Sequence, residues 1–219
     1  MRVKGVLGYA GTRHVVRHRN PILDAATVIA ELEAWFPEYT ARNASGTVAP
    51  QGSIGCVRGG WPNKPTFIPE ACDIHLDLRV SPCIDPVAVK RQFAAAIAEI
   101  ERRHPDIDLD WEMKLAIPGS HTDPDNWIKR ASIRAWQEAT RQAFSPGTAS
   151  SGASEANILR AWGVPTARVG LPPPPVALPH TGMFSMGEVH VDSLVRLTGA
   201  LIATAVDTCC RGADEVGLG

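Results

Sequence analysis

Two stretches of regular alternation between apolar and polar residues place the strongest constraint on how this chain can fold. In residues 72–80 the apolar positions are Cys72, Ile74, Leu76, Leu78 and Val80. In residues 107–115 they are Ile107, Leu109, Trp111, Met113 and Leu115. A period of two places one set of side chains against a core and the other toward solvent or a partner. Both stretches are therefore predicted to be strands with one buried face.

Two helices are predicted to separate the strands. Asn20 gives the first helix an N-cap and Pro21 gives it a first turn, while Pro37 is expected to end it. The pair Asp85-Pro86 begins the second helix in the same way. The apolar stripe of this second helix consists of Val89, Phe93, Ile97 and Ile100.

Weaker strand patterns lie at residues 3–7 and 52–57, so the first half of the chain reads strand, helix, strand, strand, helix, strand. Two helices that cover one face of a mostly antiparallel four-stranded sheet make a ferredoxin-like α/β sandwich, an α+β arrangement within the α/β class. We predict this fold for residues 1–117.

Beyond residue 117 the pattern changes to helices with little strand. Helices are predicted after Asp123-Pro124, at residues 153–162 before a C-cap at Gly163, and at residues 191–209. The short apolar stretch 164–169 is the one predicted strand, which is too little for an independent sheet. We therefore predict that residues 118–219 are a fragment of a larger α/β domain.

The last helix should show this dependence on a larger domain. Its apolar stripe consists of Leu194, Leu197, Leu201 and Ala205. We expect this stripe to pack on strands that come from outside these residues. Within this chain it should therefore form an exposed apolar face.

Composition excludes several classes of protein. The net charge of −1 over 219 residues argues against a general binder of nucleic acids or membrane surfaces. No apolar run approaches the roughly 20 residues that span a bilayer, and the first residues lack a signal-peptide core. The five cysteines show no spacing suited to zinc or to a disulfide framework. An odd number of cysteines without a signal favours reduced thiols and a cytoplasmic location.

A basic segment joins the first strand to the first helix. His14 and His18 are four residues apart and are flanked by Arg13, Arg17 and Arg19. One interpretation is a solvated loop. The other is a loop that donates hydrogen bonds to a carboxylate or to a developing oxyanion.

Three further side chains suit the binding of an anion. Arg79 ends a strand on its polar face and can clamp a carboxylate, and Asn63 lies in a Gly/Pro-rich turn. The alternative is structural: Arg79 pairs with Asp77, and Asn63 serves the turn. Ser154 belongs to a Gly- and Ser-rich turn before a helix, which either offers free N–H groups to an anion or only caps the helix.

His180 follows a proline-rich loop and precedes the final helix, with Glu188 eight residues later. Its imidazole could ligate zinc, although a loop histidine of this kind also serves as an ordinary hydrogen-bonding residue. A hydrolytic zinc site usually needs three protein ligands and an open position for water. The sequence offers one recognisable ligand.

Taken together, the order and spacing of these residues resemble one family. It comprises zinc-dependent peptidases and deacylases such as acetylornithine deacetylase, succinyl-diaminopimelate desuccinylase, aminoacylase and carboxypeptidase G. The matching positions are Gly59-Gly60, Asn63, Pro69 and Asp77-Leu78-Arg79, followed by His180 and Glu188. The resemblance implies a dimerisation domain at residues 1–117 and the C-terminal part of an α/β zinc-hydrolase catalytic domain at 118–219.

The resemblance also implies roles for individual residues. Asn63 and Arg79 would bind the substrate carboxylate or the scissile carbonyl, and Ser154 would belong to a substrate-binding turn. His180 would ligate one of two zinc ions. His14 would be the histidine that one subunit of a homodimer contributes to catalysis in its neighbour.

The chain departs from this family in three ways. Ser154-Glu155 replaces the usual Thr or Ser followed by Asp, and Tyr9 replaces the usual histidine of a Gly-His-Ala context. The N-terminal catalytic segment that carries the remaining metal ligands is absent from these residues. We therefore expect part of a metal-dependent hydrolase of small N-acyl amino acids or peptides, inactive by itself. The alternative is a non-catalytic dimerisation and binding module derived from the family.

Overall fold

The computed structural model describes residues 1–46, 48–82, 84–145, 152–172 and 189–217. They divide into two compact units, one built on residues 1–119 with Gly152 and the other on the remaining described residues. The strands of the first unit are β1 (Arg2–Lys4), β2 (Gly8–Tyr9), β3 (Gly52–Gly59), β4 (Phe67–Ile68), β5 (Ala71–Leu78) and β6 (Leu109–Asp110). Its α-helices are α1 (Pro21–Asn43) and α2 (Pro86–Arg103).

Four strands of the first unit form one antiparallel sheet in the order β3-β5-β1-β6. Val3 in β1 is paired with Cys72 in β5 on one side and with Leu109 in β6 on the other. The short strands β2 and β4 form a separate antiparallel ribbon. This strand order and the two helices confirm the predicted ferredoxin-like fold.

The core of the first unit lies between the sheet and the two helices. It consists of Val3, Ala25, Val28, Leu32, Phe36, Cys72, Ile74, Phe93, Ile97, Ile100 and Leu109. The predicted stripe of α2 is buried, as expected from its spacing. The predicted N-caps are also present, because the side chains of Asn20 and Asp85 accept hydrogen bonds from the N–H groups of Ile22 and Val87.

Pro37 does not end α1, so this prediction was wrong. The helix continues for six more residues to Asn43. Proline removes one helical hydrogen bond, but tertiary contacts hold the turns that follow it. Tyr39 is fully buried, and the side chains of Asn43 and Gln92 exchange two hydrogen bonds of 2.8 and 2.9 Å.

The predicted strand at 107–115 is much shorter in the structure, where only Leu109 and Asp110 pair with a neighbour. The alternating pattern is nevertheless meaningful, since Trp111 packs against the core and meets the ring of Phe93 edge-on at 5.0 Å. Next to this pairing the N–H of Lys4 in β1 donates to the carbonyl of Asp108 at 2.8 Å, so the contact with β1 extends one residue before β6.

The second unit contains α3 (Trp127–Thr140), α4 (Ala156–Ala161) and α5 (Val191–Cys209). Helices α3 and α5 pack through small side chains, namely Ala131, Ser132, Ala135, Ser193, Ala200 and Thr204. At one end Asp207 forms ion pairs with Arg134 and Arg211, and the Arg211 guanidinium stacks 4.1 Å from the ring centroid of Trp127. These contacts fix α3 and α5 to each other.

The large apolar side chains of α5 point away from α3. Leu194 is 47% exposed, Leu201 is 50% exposed and Ile202 is 60% exposed. The expected apolar face is therefore present in the described residues. The predicted strand at 164–169 is absent: these residues form no regular element and pair with no strand in the described part of the second unit. A strand needs a neighbouring ladder, and none is available there.

No helix among the described residues combines the length and the apolar character needed to cross a membrane.

An ion-pair cluster joins the middle of α1 to the end of α2 and should make the first unit sensitive to acid. The imidazole of His104 and the guanidinium of Arg103 contact the Glu31 carboxylate at 2.8 and 2.6 Å, and they lower the pKa of Glu31. A lowered folded-state pKa contributes stability that is complete above the unfolded pKa of about 4.3 and is lost as the pH falls through the folded value.

We therefore expect Glu31→Gln to flatten the loss of stability between about pH 5 and pH 3. The difference at pH 7 should be about 1 kcal/mol or less, because the cluster is solvent-accessible. Urea unfolding at several pH values measures this. Glu33→Gln, an equal change of charge on an exposed position of α1, is the control. Equal acid profiles for Glu31→Gln and the unmodified chain would contradict the assignment.

Candidate functional site

Arg79 is held firmly at the end of β5. Its N–H donates to the carbonyl of Gln51 at 2.9 Å, and its carbonyl accepts from the hydroxyl of Tyr39 at 2.5 Å. Tyr39 is fully buried, and burial raises its pKa to about 12, so the hydroxyl remains a donor at neutral pH. The backbone of Arg79 is therefore fixed on both sides.

The side chain of Arg79 is half-exposed and lies beside Asp77, with Nε 2.6 Å from Oδ2. This is the structural pairing that the alternating strand pattern allowed. One carboxylate contact at Nε leaves other N–H groups of the guanidinium, which has five in all. The remaining N–H groups could therefore still bind a carboxylate ligand while the Asp77 carboxylate orients the Arg79 guanidinium.

Asn63 lies in the turn that follows β3. Gly60 begins this turn with a φ of +74°, a conformation that favours glycine. Asn63 is exposed, whereas Pro69 at the other end of the segment is buried. Asn63 and Arg79 belong to the same unit, but no hydrogen bond joins their side chains in the described structure.

His14 lies in an exposed turn after a short 3₁₀ helix at Ala10–Thr12. The neighbouring Arg13 and Arg17 are also exposed. His18 behaves differently: it is partly buried, and its Nε2 lies 3.2 Å from Oγ1 of Thr12. The segment thus exposes one histidine and anchors the other.

Ser154 lies in the second unit, directly before α4. Its N–H donates to Oδ1 of Asn157 at 3.4 Å, and the N–H of Asn157 donates to the Ser154 carbonyl at 3.0 Å. The Ser154 hydroxyl is buried and has no hydrogen-bond partner in the described residues. The Ser154 side chain therefore does not cap α4. Ser151, the other serine that the structural interpretation of this turn could use, lies outside the described residues.

His180 and Glu188 lie outside the described residues. Among the residues that are described, no group of three or more His, Cys, Asp or Glu side chains could hold a metal ion. The described donors alone therefore do not fit a zinc site.

Several contacts around these residues could not be anticipated from local sequence. Tyr39 and Arg79 are 40 positions apart, and only the folded sheet brings them together. In the second unit, the guanidinium of Arg160 donates three hydrogen bonds. The acceptors are Thr122 Oγ1 at 3.0 Å, the Thr166 carbonyl at 3.0 Å and the Ser120 carbonyl at 3.4 Å. Burial, with Arg168 nearby, lowers the pKa of Arg160. No sequence signal marks Arg160.

The comparisons with known proteins agree with this architecture. Residues 1–105 match the family model described as the peptidase dimerisation domain. A hydantoinase/carbamoylase family amidase from Burkholderia ambifaria superposes with a TM-score of 0.57 at 23% identity, over 94% of this chain and 45% of that one. The aminopeptidase PepT from Bacillus cereus gives 0.54 at 19% identity, over 93% of this chain and 49% of that one.

A dipeptidase from Saccharomyces cerevisiae gives a TM-score of 0.56 at 16% identity, over 75% of this chain and 44% of that one. At these identities the likeness shows a shared fold. This chain spans about half the length of each of the three structures.

Over residues 1–105 the first unit is therefore similar to the domains described as peptidase dimerisation domains. The match confirms the resemblance to the peptidase and amidohydrolase family drawn from the sequence.

Proposed function

We propose that this chain supplies the dimerisation domain and the C-terminal part of the catalytic domain of a metal-dependent amide hydrolase. The division would fall at residues 1–117 and 118–219. The observation that carries the proposal is the extent of the likeness: the superposition with an amidase and an aminopeptidase covers more than nine-tenths of the chain. It therefore reaches well beyond the dimerisation domain.

The substrate class we propose is a small N-acyl amino acid or peptide with a free carboxylate. Arg79 supports this because its guanidinium is accessible while its backbone is fixed. Asn63 and His14 would polarise the scissile carbonyl, and Ser154 would line the substrate-binding turn.

The metal we propose is zinc, with two ions in each active site as the family resemblance implies. When bound, such a metal lowers the pKa of a water molecule and so supplies the nucleophile. His180 is the one residue of this chain proposed as a ligand. The other ligands and the general base would come from outside these 219 residues.

The role of Arg79 can be tested in an assembled hydrolase. Replacing Arg79 with alanine should raise KM for carboxylate-bearing substrates by about 10- to 100-fold, since a hydrogen bond to a charged group contributes about 1.5–3 kcal/mol. Substrates with an amidated C-terminus should be nearly unaffected. Steady-state kinetics on matched acid and amide substrates measure this difference.

The matched control is Arg58→Ala, which removes an exposed arginine from β3 in the same sheet. Equal losses on the acid and the amide substrates would refute the assignment of Arg79 as a carboxylate receptor. Activity of the assembled protein on neither class, with a normal fold, would favour the non-catalytic binding module instead.

We also propose that the chain is a homodimer through its first unit. Strand β3 lies at the edge of the sheet and is eight residues long, so it presents a row of backbone groups that a second copy can pair with. Antiparallel pairing of β3 with its own copy satisfies two-fold symmetry.

Val57→Lys should weaken this dimer by about tenfold or more, because lysine on an edge strand opposes pairing. Val57 is 47% exposed. Val87→Lys is the control, since Val87 is 51% exposed in the first turn of α2 and the charge change is the same. Sedimentation equilibrium measures both dissociation constants. A chain that is monomeric at micromolar concentration would refute the proposal.

A further inference from the structure

The loop between β2 and α1 is closed by a hydrogen bond between two of its own side chains. Oγ1 of Thr12 lies 3.2 Å from Nε2 of His18, and it also lies 3.0 Å from the carbonyl oxygen of Tyr9. The ends of the segment are held separately. The N–H of Val6 donates to the carbonyl of Arg19 at 3.1 Å, and the Arg19 guanidinium pairs with Asp24 at 2.7 Å.

These two contacts of Thr12 determine which nitrogen of His18 carries hydrogen. A carbonyl oxygen can only accept, so the single hydroxyl hydrogen of Thr12 is donated to Tyr9. The remaining contact requires Nε2 of His18 to donate to Oγ1. In the neutral ring Nδ1 is then an acceptor without hydrogen.

The environment of Nδ1 fits this assignment. The atom is buried and has no hydrogen-bond partner in the described residues. A hydrogen on Nδ1 would therefore be a buried donor without an acceptor, which costs more than an unused lone pair.

The ring of His18 packs directly on the backbone of β2. A Cβ atom added at Gly8 would lie 2.5 Å from Cγ and 2.6 Å from Nδ1 of His18. Gly8 is also paired with Ile68 in β4. The imidazole is thus wedged between the β2–β4 ribbon and the loop that it closes.

We propose that His18, neutral and with its hydrogen on Nε2, is the positioning residue of this loop. It holds Arg13 and Arg17, with His14 beside them, in a preformed arrangement in which the two guanidinium groups take a carboxylate group. All three are exposed, and none forms an ion pair within the described residues. The choice of a carboxylate rests on the proposed function, whereas the state of the ring and the closure of the loop do not.

The ring state is tested by NMR on the 219-residue chain with ¹⁵N-labelled histidine. Long-range ¹H–¹⁵N correlation should show hydrogen on Nε2 of His18 and none on Nδ1. The opposite tautomer, or a mixture of the two, would overturn the proposal. This outcome is independent of any hydrolase activity.

The positioning role is tested with two variants of His18. Glutamine places an N–H donor near the position of Nε2, whereas asparagine is too short to reach Thr12. We expect amide exchange of residues 12–18 to be at least tenfold faster in His18→Asn and within about threefold of the unmodified chain in His18→Gln. A lysine or alanine is avoided because either would also change charge or packing.

Thr12→Ser and Thr12→Val give the same test from the other partner, since serine keeps the hydroxyl and valine removes it. Equal exchange rates in His18→Asn and His18→Gln, both at the level of the unmodified chain, would overturn the positioning role. A global loss of structure in His18→Asn would leave the Thr12 pair as the deciding comparison.

The ligand class is tested by titration with N-acetylglutamate and with its uncharged diamide. The acid should shift the resonances of the His14 ring and of the Arg13 and Arg17 Nε–H groups, and the diamide should not. His18→Asn should weaken this binding at least fivefold, and His18→Gln should retain it. Equal shifts with acid and diamide, or none with either, would overturn the carboxylate surface even where the loop is closed.

Discussion

A polypeptide of these 219 residues is expected to bind zinc weakly and to show no hydrolysis of N-acetyl or N-succinyl amino acids. His180 is its single proposed metal ligand, and the described residues contain no cluster that could hold a metal ion. Tight zinc sites combine several pre-oriented ligands with hydrogen bonds that support them. Competition with a zinc indicator measures the affinity for zinc, and an amide-hydrolysis assay measures the hydrolytic activity.

Supplying the remaining ligands should restore both properties. A catalytic segment from a relative of this fold, fused or added in trans, provides the test. His180→Ala should then abolish the restored activity, because a catalytic zinc site cannot lose one of about three protein ligands. His121→Ala is the control, since His121 is an exposed histidine of the same unit. Hydrolysis by the 219 residues alone that chelators suppress would show that other side chains complete a metal site.

The fold of the first unit could be predicted from sequence because its signals are local. Asn20 and Asp85 cap their helices through hydrogen bonds to residues two positions away, and the stripe of α2 follows helical spacing. The failures are tertiary in origin. The end of α1 is fixed by Tyr39 and by the pairing of Asn43 with Gln92, which local sequence does not reveal.

In the second unit, too, local sequence predicts some features and tertiary packing determines the others. The bounds of α5 could be predicted, but its buried face could not. Spacing identifies the apolar stripe, whereas the structure packs α5 on α3 through Ala200, Thr204 and other small residues. Which face of a helix is buried depends on the element that packs against it. The sequence of the helix alone does not show which elements are present.

The candidate site was predictable only where residues share a strand or a turn. Asp77 and Arg79 are two positions apart on one face, so their pairing follows from the strand period. The contrast between the exposed His14 and the anchored His18 depends on Thr12 and Gly8, which contact His18 only once the loop closes.

Hydrogen exchange is expected to be slow in α1, α2 and β5 and faster throughout the second unit. The first unit buries Leu32, Ile74 and Ile97 completely, whereas α5 leaves most of its large apolar side chains exposed. Opening free energies follow the amount of buried apolar contact, so the protection factors should differ by orders of magnitude. Mass spectrometry of exchanged peptides measures the difference, and equal protection in the two units would contradict it.

Substitutions in the core of the first unit and on the exposed face of α5 should have different effects on stability. Leu32→Ala should cost about 2–5 kcal/mol, because it opens a cavity in a fully buried position. Ile202→Lys should change the stability of this chain by about 0.5 kcal/mol or less, since its side chain is 60% exposed.

The same substitution, Ile202→Lys, should prevent a complementing catalytic segment from restoring activity, because that segment has to bury this face of α5 against its own layer. Arg196→Lys, on an exposed position of α5, should leave complementation intact. Complementation by Ile202→Lys at the unmodified level would show that α5 presents its apolar face to solvent in the working hydrolase as well.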